Sequence, residues 1–160
     1  MTLRLHLLRH ADAGDPMAWP GDDALRPLSE KGRRQSERLG HHLAAIGFTT
    51  DAILSSPKLR ALQTAEIVAA ALGVRVQTED RLAGAFDLAD VARIIADAGG
   101  AGRPVLVGHD PDFSDLAGEL VGAPGLDQKK GAIVRIDVGG DLAPGAGRLR
   151  WLLSPEALAG

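Results

Sequence analysis

The stretch Pro104-Val105-Leu106-Val107-Gly108-His109 is an unbroken apolar run that ends on a glycine and a histidine. A short apolar run without alternation reads as a strand covered on both faces, the kind found in a parallel sheet flanked by helices. Its neighbours on both sides fit that reading. Upstream, Leu88, Val91 and Ile95 share one helical face in a helix that starts at about Asp87. Downstream, Asp112 reads as the cap of a helix carrying Phe113, Leu116, Ala117 and Leu120, stopped by Gly122. Further out, Leu3, Leu5 and Leu7 alternate with Thr2, Arg4 and His6, which predicts a strand over Leu3–Leu8. Residues 11–27 hold two Gly, three Pro and four Asp and form a long loop. Ser29 then caps a helix whose face is Gly32, Ser36, Leu39, Leu43 and Ile46, ended by Gly47. Ala52–Ser55 is a short buried strand. Ser56-Pro57 opens a helix, with Ser56 at the cap and Pro57 at the first helical position, running to Leu72 before Gly73. Val74–Thr78 alternates as a strand, and Ile133–Val138 and Arg148–Leu153 read as an antiparallel edge pair. Strand and helix alternate through most of the chain, so the expected fold is a three-layer α/β/α sandwich with a mainly parallel central sheet and an antiparallel C-terminal edge pair.

With 160 residues and 16.7 kDa, the chain is expected to be a single domain over residues 1–160. A hydrophobic fraction of 45% with 24% charged residues excludes wholesale disorder. Eighteen Lys and Arg against twenty-one Asp and Glu leave a net charge of −3, which gives no basic footprint for nucleic acid. There is no cysteine, so disulfides, thiolate catalysis and cysteine-held metals are excluded. The acidic residues show no ligand spacing, and no metal or other cofactor is expected. The opening residues MTLRLHLLRHADAGD never build an uninterrupted apolar region, and no run approaches the roughly 20 apolar residues of a membrane helix. The expected setting is therefore a cytoplasmic monomer with no membrane partner.

In open α/β sheets ligands bind beyond the carboxyl ends of the strands. Three segments send basic side chains to that edge: Arg9-His10 after the first strand, Arg60 in the first turn of a helix, and His109 after Val105–Gly108. Helix N-termini at Ser56 and Asp112 point partial positive charge the same way. Two imidazoles, two guanidinium groups and helix N-termini on one edge suit a dianion, best a phosphoryl group. Arg26, in the loop bounded by proline, adds a further clamp, and Asp23 either orients Arg26 or is plain loop charge. His6 is read as a polar-face strand residue, the adjacent His41 and His42 as helix surface, and Trp151 as core. Lys129 and Lys130 either approach the pocket or a protein substrate, or are solvated.

Four stretches carry a resemblance to a known family. Leu7-Leu8-Arg9-His10-Ala11 resembles the R-H-G signature of the histidine phosphatase (phosphoglycerate mutase-like) superfamily, with alanine at the usual glycine. Leu28-Ser29-Glu30-Lys31-Gly32-Arg33-Arg34-Gln35 is similar to its L-[ST]-x-x-G-x-x-Q helix entry. Ser55-Ser56-Pro57-Lys58-Leu59-Arg60-Ala61-Leu62-Gln63-Thr64-Ala65 follows its S-S-P-x-x-R-A-x-Q-T-A stretch, and Val107-Gly108-His109-Asp110-Pro111 its G-H-[DEN]-P stretch. The short length, Leu25-Arg26-Pro27-Leu28, Lys129-Lys130-Gly131-Ala132 and Trp151-Leu152-Leu153-Ser154-Pro155 resemble the small SixA-type phosphohistidine phosphatase branch.

The resemblance implies a metal-independent phosphatase with His10 as nucleophile, Arg9 and Arg60 holding phosphoryl oxygens and His109 stabilising them. It implies as substrate a phosphohistidine-bearing protein or a small phosphorylated molecule. Larger members carry a glutamate acid in an R-L-x-E context, where Arg81-Leu82-Ala83-Gly84 has none, with Glu79, Asp80 and Asp87 as neighbours. An alkoxide leaving group needs such an acid, whereas imidazole, with a conjugate-acid pKa of about 6.5, departs with little help. The reading is thus a phosphohistidine phosphatase. The alternatives are a phosphatase for small phosphate esters such as sugar or nucleotide phosphates, and a non-catalytic phosphate- or phosphoprotein-binding module.

Overall fold

The computed structural model describes residues 2–158. Strands β1 (Leu3–Arg9), β2 (Ala52–Ser55), β3 (Val76–Thr78), β4 (Pro104–Gly108), β5 (Ile133–Val138) and β6 (Gly147–Leu153) form one sheet in the order β3-β2-β4-β1-β5-β6. β1 to β4 are joined by parallel pairs, while β5 runs antiparallel to β1 and β6 antiparallel to β5. Helices α1 (Glu30–Ala45) and α2 (Leu59–Leu72) cover one face, and α3 (Leu88–Asp97) and α4 (Asp112–Val121) the other. The three-layer expectation holds, and no described helix is long and apolar enough to cross a membrane.

The alternation along β1 sorts its side chains between two cores. Leu5 and Leu7 face α3 and α4, where they meet Val91, Ile94, Phe113 and Leu120. Leu8 faces α1 and α2 with Leu39, Leu43, Ala65 and Val68. All five residues of β4 are buried, as the continuous apolar run requires. Each such aliphatic side chain contributes about 1.5–3 kcal/mol on burial, which fixes the register of the strand ends that carry the site.

Four local expectations are corrected. Helix α2 begins at Leu59 rather than at Pro57, and its cap residue, Lys58, offers no capping side chain. Ser56 is drawn off: its Oγ accepts from the Lys58 N–H and lies 2.8 Å from a ring nitrogen of His109. Asp112 is the first helical residue of α4, not its cap: the cap position falls on Pro111, and Asp110, just outside it, accepts from the Ser114 N–H at 2.9 Å. β3 is two residues shorter than its alternation suggests, since the Val74 N–H turns back to Ala69 and closes the end of α2. His6 is buried rather than on a polar face, because β1 is an interior strand and Phe48 and Trp151 pack on its ring at 4.8 and 5.8 Å.

Candidate active site

Parallel pairing gathers residues that lie far apart in the chain. Arg9 pairs with Gly108 across β1 and β4. Just past the strands, the His10 N–H donates to Gly108 O and the Ser56 N–H to Val107 O, both at 2.9 Å. His10, His109 and Ser56 therefore occupy three neighbouring strand ends. The rings of His10 and His109 have their centroids 5.3 Å apart.

The tautomer of His10 follows from its one ring bond. Nδ1 lies 2.8 Å from the carbonyl oxygen of Ala11. A carbonyl only accepts, so Nδ1 carries the proton and Nε2 keeps its lone pair. The turn that presents this carbonyl is itself fixed: the Ala11 N–H donates to Thr64 Oγ1, whose hydroxyl donates to Arg60 O. His10 is pushed down from an ordinary imidazole to about 4, first by burial, then by the charges of Arg60, Arg9 and Arg26. Desolvation thus outweighs the neighbouring arginines in keeping this ring neutral. His109 is pushed down to about 3, by burial first and then by His10, Arg60 and Lys58.

Arg60 and Arg26 share a partner. Asp23 Oδ2 accepts from Arg60 Nη2 at 3.1 Å, its backbone oxygen accepts from Arg60 Nη1 at 2.8 Å, and Oδ1 accepts from Arg26 Nε at 3.0 Å. Arg26 also donates through Nη1 to Ala13 O at 2.7 Å, which commits two of its nitrogens to the loop. Asp23 therefore ties both arginines, more than the orientation of Arg26 alone. Arg9 Nη1 donates to Gln128 O at 2.8 Å and lies 3.3 Å from Asp110 Oδ2. Gln128, wholly buried, is in turn anchored through Nε2 to Leu7 O and Ala132 O, both at 2.7 Å.

Buried donors without partners are rare in folded proteins, and each asks for a reason. Among the described residues the buried side-chain atoms with no partner are Arg9 Nε, Arg60 Nε, His109 Nδ1 and Gln128 Oε1. Three of these four belong to the side chains gathered at this edge. His10, Arg26, Arg60 and His109 keep only 6–8% exposure, which suits a small group entering from outside. Thr64 and Gln128 carry no role in the sequence reading, Ser56 appears there only as a helix cap, and Asp23 only as an orienter of Arg26 or plain loop charge. The spacing of Asp23 from Arg26 was the one usable signal among them.

The carboxylates near the third strand are in other employment. Both oxygens of Glu79 are held by Arg81, through Nε at 2.8 Å and Nη2 at 2.6 Å, and its carboxyl is lowered chiefly by those bonds. Asp87 caps α3 through the Asp90 N–H and is likewise lowered. Asp80 lies in the exposed turn that follows.

Comparison with known proteins adds three findings. Residues 5–85 match the family model described as histidine phosphatase superfamily (branch 1). An uncharacterised protein of Picosynechococcus is 38% identical over 146 residues, covering 86% of each chain, and an 8-oxo-(d)GTP phosphatase of Mycolicibacterium smegmatis is 35% identical over 66% of this chain and 33% of its own length. A protein histidine phosphatase SixA solved with tungstate superposes with a TM-score of 0.82 at 26% identity, covering 98% of this chain and 100% of the other. The chain belongs to the histidine phosphatase superfamily, branch 1, and is a phosphatase of the histidine-nucleophile kind.

Proposed function

We propose that the chain hydrolyses phosphohistidine, displayed on another protein, through a covalent phosphoryl intermediate on His10. The observation that carries this reading is the set of unpartnered buried donors, Arg9 Nε, Arg60 Nε and His109 Nδ1, gathered around a neutral imidazole. An arriving phosphoryl group supplies acceptors for all three. The guanidinium groups of Arg9 and Arg60 hold its oxygens, and Arg26 adds charge from the loop. In this scheme the Ser56 hydroxyl, 2.8 Å from His109 Nε2, serves as the donor to it, which leaves the proton on Nδ1 to donate to the phosphoryl group.

In the first step the lone pair of His10 Nε2 attacks phosphorus and the substrate's N–P bond breaks. The substrate ring, protonated by solvent on its other nitrogen, leaves as neutral imidazole. In the second step water attacks phosphorus, the bond to Nε2 breaks and orthophosphate departs with the water's proton passed to solvent. The bond from Nδ1–H to Ala11 O keeps phospho-His10 protonated at its far nitrogen, so His10 also leaves as neutral imidazole. Neither departure calls for an enzymic acid, in keeping with Glu79 and Asp87 being held ionised. Charge is met by guanidinium groups and imidazole, and the scheme needs no metal.

With ³²P-phosphohistidine protein as substrate, an alkaline quench during turnover should trap an acid-labile label on His10, and His10→Ala should abolish both label and turnover. Label on another residue, or normal turnover by His10→Ala, would overturn the mechanism.

The likeness to the 8-oxo-(d)GTP phosphatase favours a second reading, a phosphatase for small phosphate esters. Asp112, which opens α4 just past His109 and is raised by burial and by Asp115 and Asp110, would then be the acid to test by Asp112→Asn. A higher kcat/KM on nucleotide and sugar phosphates than on a phosphohistidine protein would favour it.

A further inference from the structure

A cavity of about 390 Å³ opens beside Arg9, with Lys31, Lys129, Lys130, Asp12 and Glu156 in its walls. An adjoining hollow of about 310 Å³ shares Lys31 and Glu156 and adds Arg34 and Arg38. Lys31, Arg34 and Arg38 are spaced i, i+3 and i+7 and so lie along one stripe of α1. The stripe is exposed and covers about 10 Å at the helical rise. Lys129 and Lys130 come from the turn before β5, so two separate segments place cations on the same groove.

The charge here runs against that of the whole chain, which carries −3. The two hollows together are lined by six cations, against the carboxylates of Asp12, Asp127 and Glu156. Asp12 is occupied by Ser29 Oγ at 2.6 Å and by the Gly14 N–H. The links that restrain the lysines are weak: Lys129 to Glu156 at 3.4 Å and Lys130 to Asp12 at 3.8 Å, with the lysines 62% and 42% exposed. Pairs of that exposure yield to a better partner at little cost. Lys31 makes no ion pair among the described residues, and Arg38 makes none either.

We propose, resting on the phosphohistidine reading, that this groove receives an acidic segment of the phosphohistidine-bearing protein, flanking the modified residue. The phosphoryl group enters between His10 and His109, Arg9 stands at the boundary, and carboxylates next in the partner lie along Lys129, Lys130 and the α1 stripe. The groove extends well past the reach of a single phosphoryl group, and its lysines and the α1 arginines reach solvent. Both features suit docking of a protein face better than enclosure of a small molecule.

The test uses two synthetic peptides of equal length, each with one histidine phosphorylated by phosphoramidate, one flanked by Asp and Glu and the other by Lys. Phosphoramidate itself serves as the small substrate. The wild-type chain should favour the acidic peptide by about tenfold in kcat/KM, through KM, with the preference fading as salt rises. Lys129→Glu/Lys130→Glu should erase that preference and leave kcat on phosphoramidate within about twofold, since rim charges act on encounter rather than on chemistry. Equal kcat/KM for the two peptides, or a preference that survives the double reversal, would overturn the docking surface while leaving the phosphatase reading intact. A double variant whose KM for phosphoramidate rises as much as that for the peptide would make the groove a small-molecule subsite and would also overturn it. Failure to hydrolyse any of the three substrates would sink the phosphohistidine reading itself, and the docking surface with it.

Discussion

Arg9, His10, Arg60 and His109 were legible because each follows a strand or opens a helix, and the parallel sheet does the gathering. What holds them was not legible. Asp23 reaches Arg60 across 37 residues, Ser56 reaches His109 across 53, and Gln128 meets Arg9 across 119. Such contacts depend on the finished packing, and nothing local marks them. Ser56 illustrates the difficulty: before a proline its hydroxyl looks like a helix cap, yet it lies 2.8 Å from a ring nitrogen of His109. Its removal is informative, since Ser56→Ala deletes a positioning group without touching the phosphoryl group. With the Nε2 partner gone, His109 loses its fixed tautomer, and kcat should fall by about tenfold with KM little changed, less than the hundredfold or more expected from removing a transition-state donor outright. Ser56→Thr, which keeps the hydroxyl, should recover most of the rate. Steady-state kinetics on phosphoramidate would show this, and a Ser56→Ala enzyme with unaltered kcat would leave Ser56 without a positioning role.

At the scale of elements, α1 does more than cover the sheet. Ser29 caps it by accepting from the Gly32 N–H, and the same hydroxyl donates to Asp12 Oδ2 at 2.6 Å. The Ser29 N–H meets Asp12 O at 3.0 Å, and Gln35 Oε1 accepts from the Asp12 N–H. The first turn of α1 thus clasps the backbone two residues past His10. Gly32 makes the approach possible, for a Cβ there would stand 2.0 Å from Asp12 O, a backbone atom that cannot swing aside. Gly32→Ala should therefore cost about 3 kcal/mol, at the upper end for overpacking, despite alanine's better helix propensity. Urea unfolding monitored by far-UV circular dichroism should show a lower midpoint at unchanged slope. A midpoint equal to or above the parent's would mean that α1 and the loop are not in such contact. The helix itself could be read from Ser29 and its apolar face; the clasp could not, because the sequence does not show which backbone oxygen a glycine's open side will meet.

For the whole molecule, three histidines buried as neutral rings tie stability to pH. His6 lies between Phe48 and Trp151, and His10 and His109 lie at the strand ends. His6 and His10 are pushed down to about 4 and His109 to about 3, burial being the largest cause for each. In the unfolded chain each returns to an ordinary value near 6.5, so between that value and about 4 the unfolded state binds protons that the folded state refuses. Stability must then rise with pH across that window and fall as the solution is acidified. From pH 7 to pH 5.5 the loss should be about 1 kcal/mol per histidine, roughly 3–4 kcal/mol in all, before the carboxylates begin to titrate. Urea unfolding at the two pH values measures this directly. His6→Leu stands outside the active site, keeps an apolar volume against Phe48 and Trp151, and should remove about a third of the pH dependence. Stability that stays level between pH 7 and 5.5 would show that burial does not hold these rings neutral, and a His6→Leu slope equal to the parent's would show the same of His6 alone. In the first case His10 would take up a proton as the pH fell below about 6.5, and the lone pair that attack on phosphorus requires would be lost in that range.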